Sequence, residues 1–147
     1  MIEYIKGDLF KTDIPVLVHG CNCLGAFGAG VALHMSRNYP KSKVEYSKLC
    51  SQFKDHPEKL LGTYQKVVDG DKTIINAFTQ FSFGGSGRKV SYDAITTIFE
   101  LLNQEYAGKE IALPKIGAFL GGGNWDIIAQ IIDSSCNRVT PVVYYLE

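Results

Sequence analysis

The glycines of this 147-residue chain are concentrated in three short segments, and this distribution limits the folds that the chain can adopt. Four lie in residues 20–30, three in residues 84–87 and four in residues 117–123, which is eleven of the fifteen. Because glycine loses more conformational freedom on folding than other residues, such clusters indicate backbone that turns sharply or approaches a ligand closely. No linker or repeat separates the segments, so we expect one compact domain over residues 1–147.

Strand patterns and helix patterns alternate between the glycine segments. Apolar or alternating runs predict strands over residues 2–5, 15–18, 62–68, 73–78, 110–113 and 139–146, with a hairpin turn at residues 69–71. Helical spacing predicts helices over residues 30–38, 42–53 and 91–106, with Ser91 as an N-cap, and a last helix capped by Asn124. This alternation predicts an α/β fold of three layers, in which helices flank both faces of a mixed central sheet.

Two of the glycine segments share one layout, in which an apolar strand leads through a glycine loop into a helix. Residues 16–18 precede the first loop, and residues 111–113 precede the second. In open α/β sheets, ligands bind beyond the carboxyl ends of the strands, and the free N–H groups of helix starts bind anions there. Two such loops facing one crevice suit a diphosphate. The alternative, which stays open at this point, is that the glycines only make tight turns.

The charge balance argues against two classes of partner. Lys and Arg number 15, and Asp and Glu also number 15, so the formal net charge is zero. Binding to a nucleic-acid backbone or to an anionic membrane favours a basic surplus. We therefore expect neither direct nucleic-acid binding nor a membrane partner. The absence of a long apolar run or a signal-peptide pattern predicts a soluble, cytoplasmic protein, and its four cysteines, Cys21, Cys23, Cys50 and Cys136, are expected to be reduced and structural.

Several standard catalytic motifs are missing from the sequence. It contains no Gly-x-x-x-x-Gly-Lys-Ser/Thr phosphate loop, no Cys-x5-Arg phosphatase loop and no Gly-x-Ser-x-Gly nucleophile elbow. Gly25, Gly28 and Gly30 follow the order GxxGxG, which is the reverse of the dinucleotide-binding fingerprint. The histidines and carboxylates show no paired spacing, so no metal site and no cofactor are predicted.

The motifs that are present occur in a characteristic order. They are Lys6-Gly7-Asp8-Leu9, Val18-His19-Gly20-Cys21-Asn22-Cys23, Gly28-Ala29-Gly30-Val31-Ala32 and Leu113-Pro114-Lys115-Ile116-Gly117. Together they resemble the macrodomains, a family of ADP-ribose-binding modules. The stretches Tyr39-Pro40-Lys41, Leu60-Leu61-Gly62 and Ser82-Phe83-Gly84-Gly85-Ser86 are most similar to the branch of the yeast ADP-ribose-1''-phosphate phosphatase. The resemblance covers essentially the whole chain and implies the macrodomain fold.

The resemblance also implies ligand contacts for the residues that match the family's motifs. Asp8, beside Leu9, would accept a hydrogen bond from the adenine amino group, and Asn22 would bond the distal ribose. The alternatives are a turn-forming Asp8 and an Asn22 that satisfies its own loop. The loop residues that would hold the distal ribose and the diphosphate are Gly28, Ala29, Gly30, Val31, Gly117, Ala118, Phe119, Leu120, Gly121 and Gly122.

His19, at the end of a buried strand next to Asn22, is the candidate catalytic residue, because histidine transfers protons near neutral pH. The alternative is a structural histidine whose hydrogen bonds are satisfied within the fold. Compared with other hydrolytic macrodomains, the chain has Ala32 where many carry an aspartate. It has Gly121 where another branch carries the aspartate of a lysine–aspartate pair. These two departures argue against removal of ADP-ribose from proteins by the routes of those branches. The resemblance to the yeast branch implies hydrolysis of ADP-ribose-1''-phosphate to ADP-ribose and phosphate. The alternatives are a non-catalytic reader of ADP-ribose, free or on ADP-ribosylated proteins, and a hydrolase that removes ADP-ribose from proteins or nucleic acid.

Overall fold

The computed structural model describes residues 1–85, 87–118 and 120–146. Within these residues the strands form a six-stranded sheet in the order β1-β6-β5-β2-β4-β3. Their bounds are β1 (Glu3–Lys6), β2 (Val16–Asn22), β3 (Tyr64–Asp69), β4 (Lys72–Gln80), β5 (Glu110–Leu113) and β6 (Thr140–Tyr145). Strand β3 is antiparallel to β4 at one edge, and the other neighbouring pairs are parallel. The predicted mixed sheet is confirmed.

Four α-helices connect the strands in the described part of the chain. They are α1 (Gly30–Asn38), α2 (Pro40–Gln52), α3 (Tyr92–Glu105) and α4 (Trp125–Ser135). Pro40 is the first residue of α2, a position where a backbone N–H would have no acceptor within the helix, so proline loses no hydrogen bond there. Pro40 also ends α1, because the residue before a proline leaves the helical conformation. The Ser91 hydroxyl accepts from the N–H of Ala94, so its predicted role as the cap of α3 is confirmed.

The alternation of side chains along the strands produces a separate core on each face of the sheet. Along β2, Val16 and Val18 point to one face and Leu17 to the other. The first face packs against α3 and α4 through residues such as Ile98 and Ile132. The second face packs against α1 and α2 through residues that include Met35 and Tyr46. The predicted three layers, with helices on both faces, are therefore observed.

Strand β2 is longer at its carboxyl end than the sequence pattern predicts. The apolar run ends at Val18, but the pairing with β4 continues through His19, Gly20 and Cys21 as far as Asn22. Polar and small residues are accepted there because β4 pairs with the backbone of β2 along this stretch. The sheet therefore encloses His19 and ends beside Asn22.

The strand order brings the three glycine segments to one edge of the sheet. Strand β2 lies between β5 and β4, and all three are parallel, so their carboxyl ends meet at the same edge. We call the connections that follow them loop 1 (residues 23–29, after β2), loop 2 (residues 114–124, after β5) and loop 3 (residues 81–89, after β4). Together they hold nine of the eleven clustered glycines, and Gly20 and Gly30 flank loop 1.

A search for membrane-spanning segments among the described residues finds no helix with the length and hydropathy to cross a bilayer. The two most amphipathic helices, α3 and α4, bury their apolar sides against the sheet.

The cap of α4 offers a test of how the end of loop 2 is held. The Asn124 side-chain oxygen accepts from the N–H groups of Asp126 and Ile127, at 2.9 and 3.3 Å. We expect Asn124→Ala to lower the free energy of unfolding by about 1 kcal/mol, because two N–H groups lose their acceptor. Urea titration measures the change, and Asn124→Asp, which keeps the acceptor, should stay near wild type. Equal stability of the Ala and Asp variants would contradict the cap.

Candidate functional site

A cleft of about 700 Å³ opens at the edge of the sheet where loops 1, 2 and 3 meet. This volume is within the range of sites for small organic ligands. Eight of the predicted site residues line it: Asn22, Gly28, Ala29, Gly30, Val31, Gly117, Leu120 and Gly121. The fold therefore brings the two predicted glycine loops to one crevice.

The start of α1 faces this cleft without a side-chain cap. The N-cap residue is Ala29, which has no side-chain acceptor for the N–H groups of the first turn, and the first two helical residues line the cleft. By contrast, Ser91 and Asn124 cap α3 and α4 with their side chains. Free N–H groups and the helix dipole both favour a negative charge at this position. The start of α1 is thus suited to an anionic group of a ligand.

Loop 1 is shaped by the side chain of Asn22. Its Oδ1 accepts from the N–H groups of Leu24 and Ala26, and its Nδ2 donates to the carbonyl oxygen of Ala26 at 2.7 Å. The buried hydroxyl of Tyr46 lies 2.7 Å from the Asn22 carbonyl oxygen and 3.0 Å from Oδ1. Burial raises the pKa of Tyr46, so the hydroxyl keeps its proton and donates. One hydrogen of Nδ2 is left for a ligand.

Loops 2 and 3 are joined by their backbones. The carbonyl oxygen of Gly121 accepts from the N–H groups of Lys89 and Val90, at 2.7 and 3.0 Å. Within loop 2, the N–H of Gly123 donates to the carbonyl oxygen of Gly117 at 2.8 Å. These bonds hold the backbone of loop 2 against loop 3 at one side of the cleft.

The start of α1 and loop 2 approach each other closely at Gly30. Its φ is +58°, which disfavours residues with a side chain, and a Cβ there would lie 2.8 Å from Leu120 Cδ1. Leu120 is 67% exposed and lines the cleft, so an apolar side chain lies close to the start of α1 there. A glycine is required at this position by both the backbone and the neighbouring side chain.

The remaining predicted site residues lie outside the cleft lining. Asp8 is exposed and its Oδ1 accepts from the N–H of Phe10, at the start of the short 3-10 helix Leu9–Lys11. Leu9 is buried in the core beside α1 and α2. Ala118 and Gly122 belong to loop 2 but do not line the cleft. The predicted ligand contact at Phe119 lies outside the described residues.

His19, the predicted catalytic residue, lies in the core and is not among the described lining residues of the cleft. Its side chain is fully buried, and its Nε2 lies 2.6 Å from Oδ1 of Asn76. The Asn76 Nδ2 donates to Gln65 and Ser42, so its oxygen faces the imidazole and Nε2 carries the proton. Burial lowers the pKa of His19 to about 4, so the ring is neutral at pH 7. Strand β2 extends past His19, which places the ring within the sheet, and its catalytic role stays a prediction.

Sequence reasoning missed several residues that line the cleft. Two of them, Thr79 and Gln80, end β4, and a polar residue at the carboxyl end of a parallel strand is the signal that would have found them. Among the described lining residues the ionisable side chains are Cys21, His34 and Lys115, and none is a carboxylate. No group of three or more potential metal ligands occurs in the part of the chain that the structure describes.

The four cysteines are buried and unpaired, as expected. Burial raises the pKa of Cys23 to about 12 and that of Cys136 to about 11, and it also raises the pKa values of Cys21 and Cys50. All four are therefore thiols at neutral pH. Although Cys21 lines the cleft, it is a poor nucleophile there because its thiolate is disfavoured.

The fold and the cleft define an α/β protein with a backbone-lined site suited to a small anionic ligand. No protein-family model matches the chain. A phage T4 protein from the tk-vs intergenic region is 32% identical over 97% of this chain and 95% of its own length. The ADP-ribose 1''-phosphate phosphatase of Debaryomyces hansenii is 30% identical over 93% of this chain and 95% of its own length.

The chain is also similar to one protein and to one solved structure from Mycobacterium tuberculosis. The DNA ADP-ribosyl glycohydrolase of Mycobacterium tuberculosis is 30% identical over 97% of this chain, which spans 40% of that protein's length. The solved macrodomain of Mycobacterium tuberculosis DarG matches with a TM-score of 0.80 and 28% identity, over 98% of this chain and 97% of that one. The chain belongs to the macrodomain family.

The buried His19 leads to a prediction about acid stability. Because its pKa in the folded state is about 4 and that of an exposed histidine is about 6.5, the unfolded chain binds the extra proton between these values. Stability should therefore fall as the pH drops through this window, by up to about 3 kcal/mol from this group.

Urea titrations at pH 7, 5.5 and 4 measure this effect. His19→Gln keeps an N–H for Asn76 and removes the titrating ring, so its stability should depend less on pH than that of wild type. His56→Gln, at an exposed histidine, is the matched control and should follow wild type. A His19→Gln variant with the wild-type pH profile would contradict the assignment.

Proposed function

We propose that this protein binds ADP-ribose in the cleft and hydrolyses ADP-ribose 1''-phosphate to ADP-ribose and phosphate. The observation that carries the proposal is the uncapped start of α1, which faces loop 2 across a cleft of about 700 Å³. The yeast phosphatase that is similar over nearly the whole chain supports the same substrate. Zero net charge is compatible with it, because backbone N–H groups bind a diphosphate without lysines.

In this proposal each part of the ligand has a place. The N–H groups at the start of α1 and the backbone of loop 2 bind the diphosphate. The free Nδ2 hydrogen of Asn22 donates to a hydroxyl of the distal ribose. Asp8, whose Oδ2 is not used by its turn, accepts from the adenine amino group at the outer end of the site.

The hydrolytic step is a phosphoryl transfer to water. The water oxygen bonds to phosphorus as the bond between phosphorus and the C1'' oxygen breaks. One water proton remains on the released phosphate, and the other is passed through a phosphate oxygen to the C1'' hydroxyl of ADP-ribose. No side chain gains or loses a proton overall, which suits a cleft without a carboxylate among its described lining residues. The protein acts mainly by positioning the reactants and stabilising charge.

A second candidate function is the removal of ADP-ribose from DNA. It is favoured by the similarity to the mycobacterial DNA ADP-ribosyl glycohydrolase, although the chain spans only 40% of that protein. A third is ligand binding without turnover, which the absence of a carboxylate in the described cleft lining also permits. We place the phosphatase first because its relative matches this chain over 95% of its own length.

A phosphorus NMR time course with ADP-ribose 1''-phosphate tests binding and turnover together. We expect perturbed diphosphate signals and the appearance of free phosphate. Perturbed signals without free phosphate would overturn the phosphatase and leave a reader or the DNA activity. The DNA activity is then tested by release of ADP-ribose from ADP-ribosylated DNA. Unperturbed signals would overturn the assignment of the cleft.

The contact between Gly30 and Leu120 gives a mutational test of the same site. We expect Gly30→Ala to weaken ADP-ribose binding about tenfold, because the strain at φ +58° shifts the start of α1 and displaces Leu120. Calorimetry measures the dissociation constant. Gly70→Ala is the matched control: its φ is +65°, in the turn between β3 and β4, so it should lose stability but keep its affinity. Unchanged affinity of Gly30→Ala would contradict the prediction.

A further inference from the structure

Strand β4 contains a β-bulge where it enters the cleft. Cys21 of β2 pairs with Phe78, but the next residue, Asn22, pairs with Gln80, so Thr79 is the extra residue. A bulge re-aims side chains and occurs often beside functional sites. Here it leaves both Thr79 and Gln80 lining the cleft, although consecutive residues of a regular strand would point to opposite faces.

The Thr79 hydroxyl is buried without a hydrogen-bond partner among the described residues. Its side chain is fully buried, and the Cβ of any residue replacing Gly20 would lie 2.7 Å from its Oγ1. Gly20 therefore leaves the space that the hydroxyl needs at the floor of the cleft. An unpaired buried hydroxyl destabilises a fold, and such groups call for a specific explanation. A ligand that supplies the missing partner provides one.

The Gln80 carboxamide is fixed beside this hydroxyl. Its Nε2 donates to the carbonyl oxygen of Ser82 at 2.8 Å. Its Oε1 lies 3.1 Å from the position that a Cβ would take on Gly121, and so it faces loop 2. Among the described residues, no group donates a hydrogen bond to this Oε1, so it can accept one from a ligand or a water molecule. Two residues adjacent in the chain, Thr79 and Gln80, thus contribute a neutral donor and a neutral acceptor to the lining of the cleft.

We propose that Thr79 and Gln80 form the phosphoryl subsite of the cleft. On the basis of the proposed function, the Thr79 hydroxyl donates a hydrogen bond to a phosphate oxygen of ADP-ribose 1''-phosphate. Gln80 Oε1 accepts a hydrogen bond from the attacking water. The water oxygen bonds to phosphorus, the bond to the C1'' oxygen breaks, and the protons move as described above. Both side chains are neutral, so neither repels the phosphate as a carboxylate would. Their place beside Asn22 puts them at the end of the cleft that we assign to the distal ribose.

Thr79→Val tests the donor, because it keeps the shape of the side chain and removes only the hydroxyl. We expect kcat for ADP-ribose 1''-phosphate to fall about 10- to 100-fold, while the dissociation constant for ADP-ribose changes less than about twofold. Thr79→Ser should restore most of the activity. Thr96→Val, which removes a hydroxyl on α3 that bonds the Tyr92 carbonyl oxygen, is the matched control and should retain wild-type kcat.

A second measurement does not depend on turnover. With ADP-ribose saturating, the affinity for inorganic phosphate should fall at least fivefold in Thr79→Val but not in Thr96→Val. Gln80→Met, which removes the acceptor, should lower kcat and leave the phosphate affinity within twofold. The melting temperature of Thr79→Val should equal or exceed that of wild type, since the lost hydroxyl had no partner. This measurement distinguishes a loss of activity from a failure of the variant to fold.

These readouts separate the two proposals. A wild-type protein that releases no phosphate from ADP-ribose 1''-phosphate overturns the proposed function. Equal affinity of wild type and Thr79→Val for inorganic phosphate, or no phosphate binding by the wild-type complex at millimolar concentration, overturns the subsite. Weakened phosphate binding in Thr79→Val, restored in Thr79→Ser, supports it.

Discussion

Parallel pairing of β2 with β5 on one side and β4 on the other is the constraint on which the cleft depends. This pairing directs the carboxyl ends of three neighbouring strands to one edge of the sheet, and a loop follows each of them. The three loops then support one another through backbone bonds, such as those from Lys89 and Val90 to Gly121. Because these contacts need close approach of main chains, glycine is concentrated in the same three loops.

The cleft is built mostly from backbone, and the few polar side chains near it serve different purposes. Asn22 uses most of its capacity to shape loop 1, with Tyr46 bonded to it from behind. His19 is held by Asn76 within the core and stays neutral. Thr79, in contrast, has no partner among the described residues. Two buried polar atoms of the described residues lack a hydrogen-bond partner: Nδ1 of His19 lies in the core, and the Thr79 hydroxyl belongs to a residue that lines the cleft.

The position of His19 illustrates a limit of reading strands from apolar runs. The run stops at Val18, and His19 is therefore expected at the end of the buried strand, next to Asn22. In the fold, hydrogen bonds to β4 carry β2 through three further residues to Asn22, and the bulge opposite Asn22 moves the cleft lining to Thr79. The length of β2 is decided by backbone pairing between strands that are far apart in the sequence, and no local sequence pattern indicates it.

The sequence by itself determined the order and type of the elements, because periodicity, caps and glycine loops are local: α1 and β5 have the predicted bounds, and Ser91 and Asn124 cap their helices as expected. It also indicated the family through ordered motifs. Only the tertiary structure decided which polar groups face the ligand. The burial of His19 in the core and the position of Thr79 in the lining of the cleft depend on strand register and on the packing of distant segments, and these are fixed by contacts between residues far apart in the chain.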